Sequence, residues 1–388
     1  MYKKEIIVSS ATIMFYIAVG TTALALQVLF INKVSDFLIS ILPAVYWSAV
    51  LISSPFWGML ADNLSAKKAI LVFTTFISGI ILFLHAVFMS YTQIFLLRIA
   101  FGFFSSAFLP VSLSILLEDA LSSEAGRRAS LFTLSRAFGF LISGYVASLI
   151  LLFFATNDLF IYGSFFVVLS VLFLMFIRDK NESNDPTHNV TSIRQSFKLP
   201  GKAFITRNNG HLLVIALALR HINIMSLNAL MYVYMLRKGI PDFLLGTISS
   251  FNTLVQVILM YPLGALSDKI GRKPLYLTGF ALSAIVPIAF MLSSDPLSFS
   301  LSFVLIGFSF SSLISGVTPF LKDIAPEGRE GEALSFLNIS RSIGSIIGPV
   351  LAGILVTIGS YEIMFETMTV ITLIATVLAL FTKEIKIN

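Results

Sequence analysis

The chain has no cysteine among its 388 residues, and it has only four histidines. Disulfide bonds and thiolate metal sites are therefore excluded, and the sequence shows no metal-binding cluster. Charged residues are also scarce, at 12% of the chain, compared with roughly 25% in typical soluble proteins. No phosphate-binding loop of the form G-x-x-x-x-G-K-[ST] occurs, which argues against ATP-driven pumping by this chain.

Hydrophobic residues make up 57% of the chain, and the mean hydropathy is +0.92. A soluble domain could not bury this much apolar surface, so the predicted solvent is a lipid bilayer. Lipid offers no partner for open backbone groups, so long apolar runs in it must be helices. Twelve runs approach the ~20 residues of a spanning helix, and they predict an all-α membrane protein with twelve transmembrane helices. The predicted spans are 7–31, 37–60, 69–90, 93–117, 130–154, 159–177, 211–236, 243–266, 275–293, 298–320, 334–358 and 361–382.

One long polar stretch, from Arg178 to Gly210, separates the first six apolar runs from the other six. Its low hydrophobicity predicts a mobile linker. The sequence therefore predicts an N-terminal six-helix bundle over 1–178, a cytoplasmic linker over 179–210 and a C-terminal six-helix bundle over 211–388. The first apolar run is longer than the roughly 7–15 residues of a signal-peptide core, so we interpret it as an uncleaved spanning helix.

The distribution of Lys and Arg predicts the orientation of the chain. With the N-terminus inside, nineteen basic residues would lie on the cytoplasmic side and only Lys33, Arg237 and Lys238 on the outer side. By the positive-inside rule, both termini and the linker are cytoplasmic in a multi-pass protein of the cell membrane. The basic residues form no long stripe, so the pI near 9.4 reflects topology and predicts no nucleic-acid partner.

Two short polar loops repeat each other about 206 residues apart. The loop from Gly264 to Lys273 has a glycine, a leucine two residues on, an aspartate four residues on and a basic pair, and the loop from Gly58 to Lys68 has these at matching places. Four ordered pairs at nearly one offset indicate duplication, and parallel repeats are a transporter architecture. The other three pairs, at offsets of 205, 204 and 205, are Gly102 to Ser106 with Gly307 to Ser311, Asp119 with Asp323, and Ser135 to Gly139 with Ser340 to Gly344.

On these residues the chain resembles the major facilitator superfamily over nearly its whole length. The family's signature loop, G-x-x-x-D-x-x-G-[RK]-[RK], matches Gly264 to Lys273 fully, whereas Ser65 and Ala66 break it in the first copy. The resemblance implies two pseudo-symmetric six-helix bundles and a cytoplasmic gate, in which Asp62 locks against helix 11 and Asp268 against helix 5. The gate residues are then Gly58, Asp62, Gly264, Asp268, Gly271, Arg272, Arg136, Arg341, Gly348 and Pro349.

The gate has a simpler alternative, in which Asp62 and Asp268 are solvated turn residues. The gate interpretation places Arg136 and Arg341 in the first two turns of helices 5 and 11. It also predicts close helix contacts at Gly58 and Gly264 and a tight turn at Gly271.

Two further segments resemble motifs of this family. Arg98-Ile99-Ala100-Phe101-Gly102 is similar to the helix-4 arginine motif of proton-coupled members. The segment from Gly344 to Gly353, with Gly348 and Pro349, is similar to the Gly-Pro motif that marks exporters when it lies in helix 5; here it lies in helix 11.

Polar side chains inside the apolar runs predict a central cavity. A charged arginine within a spanning helix costs at least about 2.5–3.5 kcal/mol unless it faces water or a partner. We therefore expect Arg98 to face the cavity, the alternative being that it snorkels to the outer surface. Helix 7 contributes the largest predicted group: Arg220, His221, Asn223, Asn228 and Tyr232.

His221 is the predicted proton carrier, because the unperturbed pKa of histidine is near 6.5. Alternatively, Arg220 points to the cytoplasmic ends of neighbouring helices and His221 is merely hydrogen-bonded. Asn252 and Gln256, one turn apart in helix 8, and Glu366 in helix 12 complete the cavity set. Glu366 either pairs with an arginine or lies near the outer headgroups.

These observations predict a secondary transporter that moves a small organic solute by alternating access, and not an enzyme. The first hypothesis is proton-coupled export of the drug or metabolite efflux type, as an antiporter. The second is uptake or facilitated transport of a polar or anionic metabolite or a sugar, because buried arginines repel cationic drugs. A non-transporting membrane sensor is the alternative of another class. The expected partners are the solute and the bilayer, with no cofactor, and the expected state is a monomer.

Overall fold

The computed structural model describes residues 2–63, 66–118, 120, 122–177, 209–325 and 330–383, and every regular element within them is a helix. Twelve helical spans in these residues are long and apolar enough to cross a membrane, which confirms the predicted number. The predicted linker lies almost entirely outside the described residues. The helices are α1 Tyr2–Phe30, α2 Asp36–Asn63, α3 Lys67–Val87, α4 Tyr91–Ser105, α5 Phe108–Leu117, α6 Ser122–Phe153, α7 Asp158–Met175, α8 Gly210–Arg237, α9 Asp242–Ile270, α10 Arg272–Leu292, α11 Pro296–Asp323, α12 Glu330–Ile358 and α13 Tyr361–Leu380.

The fourth span is broken into α4 and α5, whereas the sequence predicted one helix over 93–117. The break falls at Ser106 and Ala107, four and three residues before Pro110. A proline has no N–H to donate to the carbonyl four residues earlier, and its ring clashes with that carbonyl. Pro110 therefore leaves the Ser106 carbonyl without its helical partner, and the helix ends and restarts.

The break also changes the partners of the Phe103 carbonyl. The amide of Ala107 turns to the residue three positions back, and the Phe103 carbonyl instead accepts from Nε1 of Trp57 at 2.7 Å and from Oγ of Ser106 at 2.8 Å. Ser53 of α2 adds a side-chain hydrogen bond of 2.7 Å to Ser106. The side chain of Trp57 in α2 thus replaces the backbone donor that the Phe103 carbonyl has lost.

Glycines allow close helix crossings in the N-terminal half. A Cβ placed on Gly102 of α4 would lie 2.7 Å from the carbonyl oxygen of Tyr46 in α2, and one on Gly139 of α6 would lie 2.7 Å from Cβ of Tyr16 in α1. Only glycine fits such contacts between spanning helices.

The same crossings recur in the C-terminal half. Gly307 of α11 lies against the carbonyl of Asn252 in α9, and a Cβ on Gly344 of α12 would lie 2.6 Å from Cβ of His221 in α8. Gly307 and Gly344 each follow their N-terminal counterparts, Gly102 and Gly139, by 205 residues. The duplication seen in the sequence is therefore also a duplication of helix packing.

The described residues form two compact units, one from Met1–Ala25 with Val45–Lys198 and the other from Leu26–Ala44 with Leu199–Asn388. The segment 26–44, which the sequence-based division placed in the first bundle, thus packs with the second unit. The division at the linker remains a prediction.

Each unit has a core that contains packed aromatic rings, and many other large apolar side chains are exposed. Phe15 and Phe108 stack with ring centroids 3.9 Å apart in the first unit, and Tyr276 meets Phe320 edge-on at 5.4 Å in the second. Large side chains such as Phe73 are about half exposed, as expected for a protein whose solvent is lipid.

Candidate functional site

Arg220 is the centre of a buried polar cluster in the second unit. Its side chain is 3% exposed, Nε donates to Oγ of Ser283 at 3.0 Å, and Nη2 donates to Oγ of Ser309 at 3.4 Å. Asn223, also buried, donates to the Ser283 carbonyl at 3.0 Å. Phe310 lies beside the guanidinium, with its ring centroid 5.7 Å away. Serines of α10 and α11 therefore hold Arg220, which was predicted to line the central cavity.

His221 lies at the close crossing of α8 and α12 and is partly buried. Its Nε2 is 3.4 Å from Oγ of Ser345, and Gly344 packs against its backbone and ring. The contact with Ser345 agrees with the alternative in which His221 is merely hydrogen-bonded. Its role as a proton carrier remains a prediction.

Gln27 of α1 reaches the backbone of α8 at two of the predicted cavity residues. Its Nε2 donates to the carbonyl of Asn228 at 2.8 Å, and its Oε1 accepts from the amide of Tyr232 at 3.0 Å. The side chain of Asn228 is exposed, and the hydroxyl of Tyr232 donates to Oγ of Ser249 at 3.0 Å. The carbonyl and amide joined by Gln27 are four residues apart, the pair that an α-helix bonds to itself.

The remaining C-terminal candidates fall into two environments. Nε2 of Gln256 donates to Oδ1 of Asn252 at 2.8 Å, so these amides form one partly buried pair along α9. Glu366 of α13 is exposed and forms no ion pair within the described part of the chain. The alternative that paired Glu366 with an arginine is therefore not what the structure shows.

Arg98 of α4 has a different environment from Arg220. It is 5% exposed, and its guanidinium carbon lies 4.7 Å from the ring centroid of Tyr46 and 5.5 Å from that of Phe101. Nε and Nη1 are inaccessible and have no hydrogen-bond acceptor among the described residues. Among the described residues, the buried guanidinium of Arg98 contacts aromatic rings and has no ion-pair partner, and it does not snorkel to a surface.

The signature loop between α9 and α10 is organised by Arg272. The guanidinium donates to the carboxylates of Asp268 and Asp323 and to Oγ of Ser267. Gly271 has a φ of +95°, a conformation that L side chains rarely adopt, which confirms the predicted tight turn. Arg272 therefore ties the end of α9 to the end of α11.

The first half repeats this ion pair with other residues. Nζ of Lys67 lies 3.3 Å from Oε1 of Glu118, and both residues precede Arg272 and Asp323 by 205 positions. The sequence matched Asp323 with Asp119, which lies outside the described residues. Glu118 is the residue that makes the equivalent contact.

Other predicted gate residues lie in varied surroundings. The side chain of Asp62 lies outside the described residues, so its lock with helix 11 remains a prediction, as does that of Asp268 with helix 5. A Cβ on Gly264 would meet no described atom within 4 Å, and one on Gly58 would only touch Pro110 at 4.0 Å. Neither glycine makes a close helix contact within its own unit among the described residues, and their part in the gate remains a prediction.

Arg136 and Arg341 lie deeper in their helices than predicted. The structure begins α6 at Ser122 and α12 at Glu330, so both arginines lie in the fourth turn, not in the first two turns. The guanidinium of Arg136 is 5.9 Å from the ring centroid of Tyr16, and Arg341 is partly buried.

Gly348 and Pro349 are buried in α12. A Cβ on Gly348 would lie 2.6 Å from the Ile222 carbonyl oxygen of α8, so this pair packs at a helix crossing. The hydroxyl of Ser226 donates to the Gly348 carbonyl at 2.7 Å.

Several residues of these clusters were not predicted. Ser283, Ser309 and Gln27 are ordinary residues of apolar runs, and only the tertiary fold brings them to Arg220 and α8. His85 of α3 is fully buried, and its isolated place in an apolar run was the one available signal.

A family model described as the Major Facilitator Superfamily matches residues 8–251 and, overlapping with these, 213–386. The chain is 27% identical over 312 residues to the uncharacterized MFS-type transporter YuxJ of Bacillus subtilis (strain 168), covering 78% of this chain and 77% of that protein. It is 24% identical over 322 residues to the multi-drug resistance efflux pump PmrA homolog of Lactococcus lactis subsp. lactis (strain IL1403), covering 80% and 76%.

Among solved structures, the fold is similar to that of the nucleoside transporter NupG, with a TM-score of 0.81. The two chains are 15% identical, and the similarity covers 97% of this chain and 98% of that one. At this identity the likeness concerns the fold alone.

Proposed function

The chain belongs to the Major Facilitator Superfamily and is a membrane transporter, not an enzyme, and on that premise we propose that it exports a small organic solute by alternating access. A proton gradient supplies the energy, no cofactor takes part, and the protein acts as a monomer with both termini in the cytoplasm. The hypothesis of a non-transporting sensor is set aside.

The repeated helix packing supports alternating access. Tight crossings at Gly102 and Gly139 recur at Gly307 and Gly344, and a pair of opposite charges at equivalent positions ties the helix ends in each half. Close packing of this kind makes each unit stiff. Stiff, similarly built units are suited to motion as whole bodies, which is how transporters of this architecture expose a site to either side.

One observation supports export as the direction of transport, and another supports coupling of transport to protons. A relative that matches most of the chain is named as a multi-drug resistance efflux pump, which favours export. His221 and Glu366 are the titratable groups of the predicted cavity set that a proton could occupy.

A second candidate is uptake or facilitated transport of a polar or anionic metabolite or a sugar. The buried guanidinium groups of Arg98 and Arg220 favour it, because neither forms an ion pair in the described residues. Uncompensated positive charge in a transport path attracts anions and repels cationic drugs.

The test is counterflow in proteoliposomes with a panel of solutes, with and without an imposed pH gradient. Proton-coupled export predicts accumulation that depends on the gradient and collapses with a protonophore. Exchange that is indifferent to the gradient would overturn the coupling and favour the second candidate.

The coupling residue is identified by substitution. His221→Ala abolishes gradient-driven accumulation while leaving exchange if His221 carries the proton, and Glu366→Gln does so if the carboxylate carries it. Glu362→Gln is the matched control, because Glu362 is an exposed carboxylate in the first turn of the same helix. A gradient dependence that survives both substitutions would exclude these residues as carriers.

A further inference from the structure

We propose that Arg98 binds the carboxylate of an organic acid, so that the solute of this transporter is a monoanion. The inference rests on the proposed transport function and names the chemical class of its solute. It starts from the guanidinium of Arg98, which donates no hydrogen bond within the described chain.

An unpaired donor is costly at this depth. Leaving a buried hydrogen-bonding group without a partner costs roughly 1–3 kcal/mol, and more for a charged group. The rings of Tyr46 and Phe101 attract the cation but accept no hydrogen bond of ordinary strength from it. The protein therefore holds Arg98 in a position where a further partner stabilises it.

The other two buried arginines among the described residues, Arg128 and Arg220, both donate hydrogen bonds within the protein. Arg220 donates to two serine hydroxyls. Arg128 donates to the Leu116 carbonyl and to Glu124, and its Nε, which makes no hydrogen bond, lies 3.3 Å from the carboxylate of Glu5. Arg98 is the one of these three whose hydrogen bonds are left to a molecule from outside the chain.

One further unsatisfied polar atom lies in the same unit, on α3. Nδ1 of His85 donates to the Ile81 carbonyl at 2.7 Å, because a carbonyl can only accept, and this leaves Nε2 as a buried lone pair without a partner. The ring of His85 lies 6.4 Å from that of Phe101, the ring that Arg98 also contacts.

The location of Arg98, close to a break in its helix, is consistent with a solute site. The α4–α5 break begins directly after Ser105, and transporters commonly form their solute sites beside discontinuous helices. Aromatic rings next to hydrogen-bond donors are also the ordinary lining of small-molecule pockets.

The charge selects a carboxylate. A guanidinium presents its donors along two planar edges that match the two oxygens of a carboxylate. Each edge of Arg98 contains one of the unpaired atoms, Nε or Nη1. One guanidinium balances one negative charge, which favours a carboxylate over a phosphate dianion.

The test uses the tryptophans already in the protein. The chain has two, Trp47 and Trp57, both in α2, and the Trp47 ring is 5.2 Å from that of Tyr46. Intrinsic fluorescence of the purified full chain is titrated with one skeleton carrying four head groups: cyclohexanecarboxylate, cyclohexylmethanol, cyclohexylmethylammonium and cyclohexyl phosphate. We expect a saturable change with the carboxylate and at least ~10-fold weaker binding of the other three, about 1.4 kcal/mol.

Variants then assign the binding to the residue. Arg98→Gln weakens carboxylate binding at least ~10-fold, and Arg98→Lys, which keeps the charge but loses the planar fork, gives an intermediate value. Arg127→Gln is the matched control, because Arg127 is half exposed and pairs with Glu5 in the first turn of α1. It leaves binding unchanged.

Three results would overturn the proposal: equal binding of all four head groups, preference for the phosphate, or Arg98→Gln binding like the unaltered protein. The head-group series uses the unaltered protein, so it decides even if Arg98→Gln does not fold. Transport is measured separately in proteoliposomes. Carboxylate binding without transport would overturn the proposed function and leave the site, whereas transport of the neutral or cationic members without carboxylate binding would overturn the site alone.

Discussion

The carboxylate of Asp36 and the guanidinium of Arg237 form an ion pair of 2.7 Å in which only the carboxylate is buried. The Asp36 side chain is 6% exposed, compared with 47% for Arg237. The hydroxyl of Tyr361 donates to the other carboxylate oxygen at 2.8 Å. The start of α2 is thereby fastened to the end of α8 and the start of α13, on the predicted outer side.

This unequal burial predicts unequal effects of removing each partner. Arg237→Gln leaves a buried carboxylate short of its cation and should lower the free energy of unfolding by about 1–3 kcal/mol. Asp36→Asn leaves an exposed guanidinium that water can solvate, and should cost less, about 1 kcal/mol. The midpoints of thermal unfolding in detergent measure the order. Tyr361→Phe, which removes one neutral donor, is the control, and a larger loss for Asp36→Asn than for Arg237→Gln would contradict the argument.

Ser283 and Ser309, the two serines that accept from the Arg220 guanidinium and are called the serine cage below, give a second prediction. Ser283→Ala removes the acceptor of Nε at 3.0 Å and leaves a charged donor buried, so it should destabilise the protein by about 1–3 kcal/mol. Ser309→Ala should cost less, because its contact with Nη2 is longer, 3.4 Å. Chemical unfolding followed by tryptophan fluorescence measures both.

Ser300→Ala is the matched control for the cage. Ser300 of α11 is partly buried, and its hydroxyl donates in an exposed hydrogen bond to the Pro296 carbonyl of its own helix. Alanine has the higher helix propensity, so this change should be neutral or slightly stabilising. Equal costs at Ser283 and Ser300 would show that the cage does not hold Arg220.

The repeated ion pairs predict coupled residues at equivalent positions. Double-mutant cycles measure this coupling from the free energy of unfolding in denaturant. One cycle combines Lys67→Gln with Glu118→Gln, and the other combines Arg272→Gln with Asp323→Asn. Each coupling energy should be about 0.5–1 kcal/mol, because these pairs are partly exposed. Arg272→Gln alone should cost more than Lys67→Gln, since Arg272 also binds Asp268 and Ser267. A coupling energy of zero in one half only would mean that the ion pair of that half is not equivalent to its counterpart in the other.

The features predicted correctly from the sequence are those that depend on local composition. Apolar runs of about 20 residues identify spanning helices wherever they occur, so the twelve spans were predictable. The tight turn at Gly271 was predictable for the same reason, because it depends on one residue and its neighbours.

The features that were not predicted depend on how helices that are distant in the sequence pack against one another. Pro110 was the available signal for the break in the fourth span, but the prediction of that span depended on its continuous apolar run alone. Nothing in the sequence relates Asp36 to Arg237, 201 residues away, or Gln27 to Tyr232. The sequence also could not separate Arg98 from Arg220, because serines on other helices satisfy only Arg220.

The last prediction concerns the crossing of α8 and α12. Two Gly→Ala substitutions, one at this crossing and one elsewhere, should change the stability of the protein in opposite directions. A Cβ on Gly344 would lie 2.6 Å from the backbone of His221, so Gly344→Ala must push the helices apart and should cost about 1–3 kcal/mol. Gly126 of α6 has no described atom within 4 Å of such a Cβ, so Gly126→Ala should stabilise by about 0.5–1 kcal/mol through helix propensity. Thermal unfolding of both variants in the same detergent measures the pair. Because His221 moves with the crossing, Gly344→Ala should also reduce solute exchange, whereas Gly126→Ala should not. Unfolding midpoints that rise together would show that α8 and α12 are not in close contact at this position.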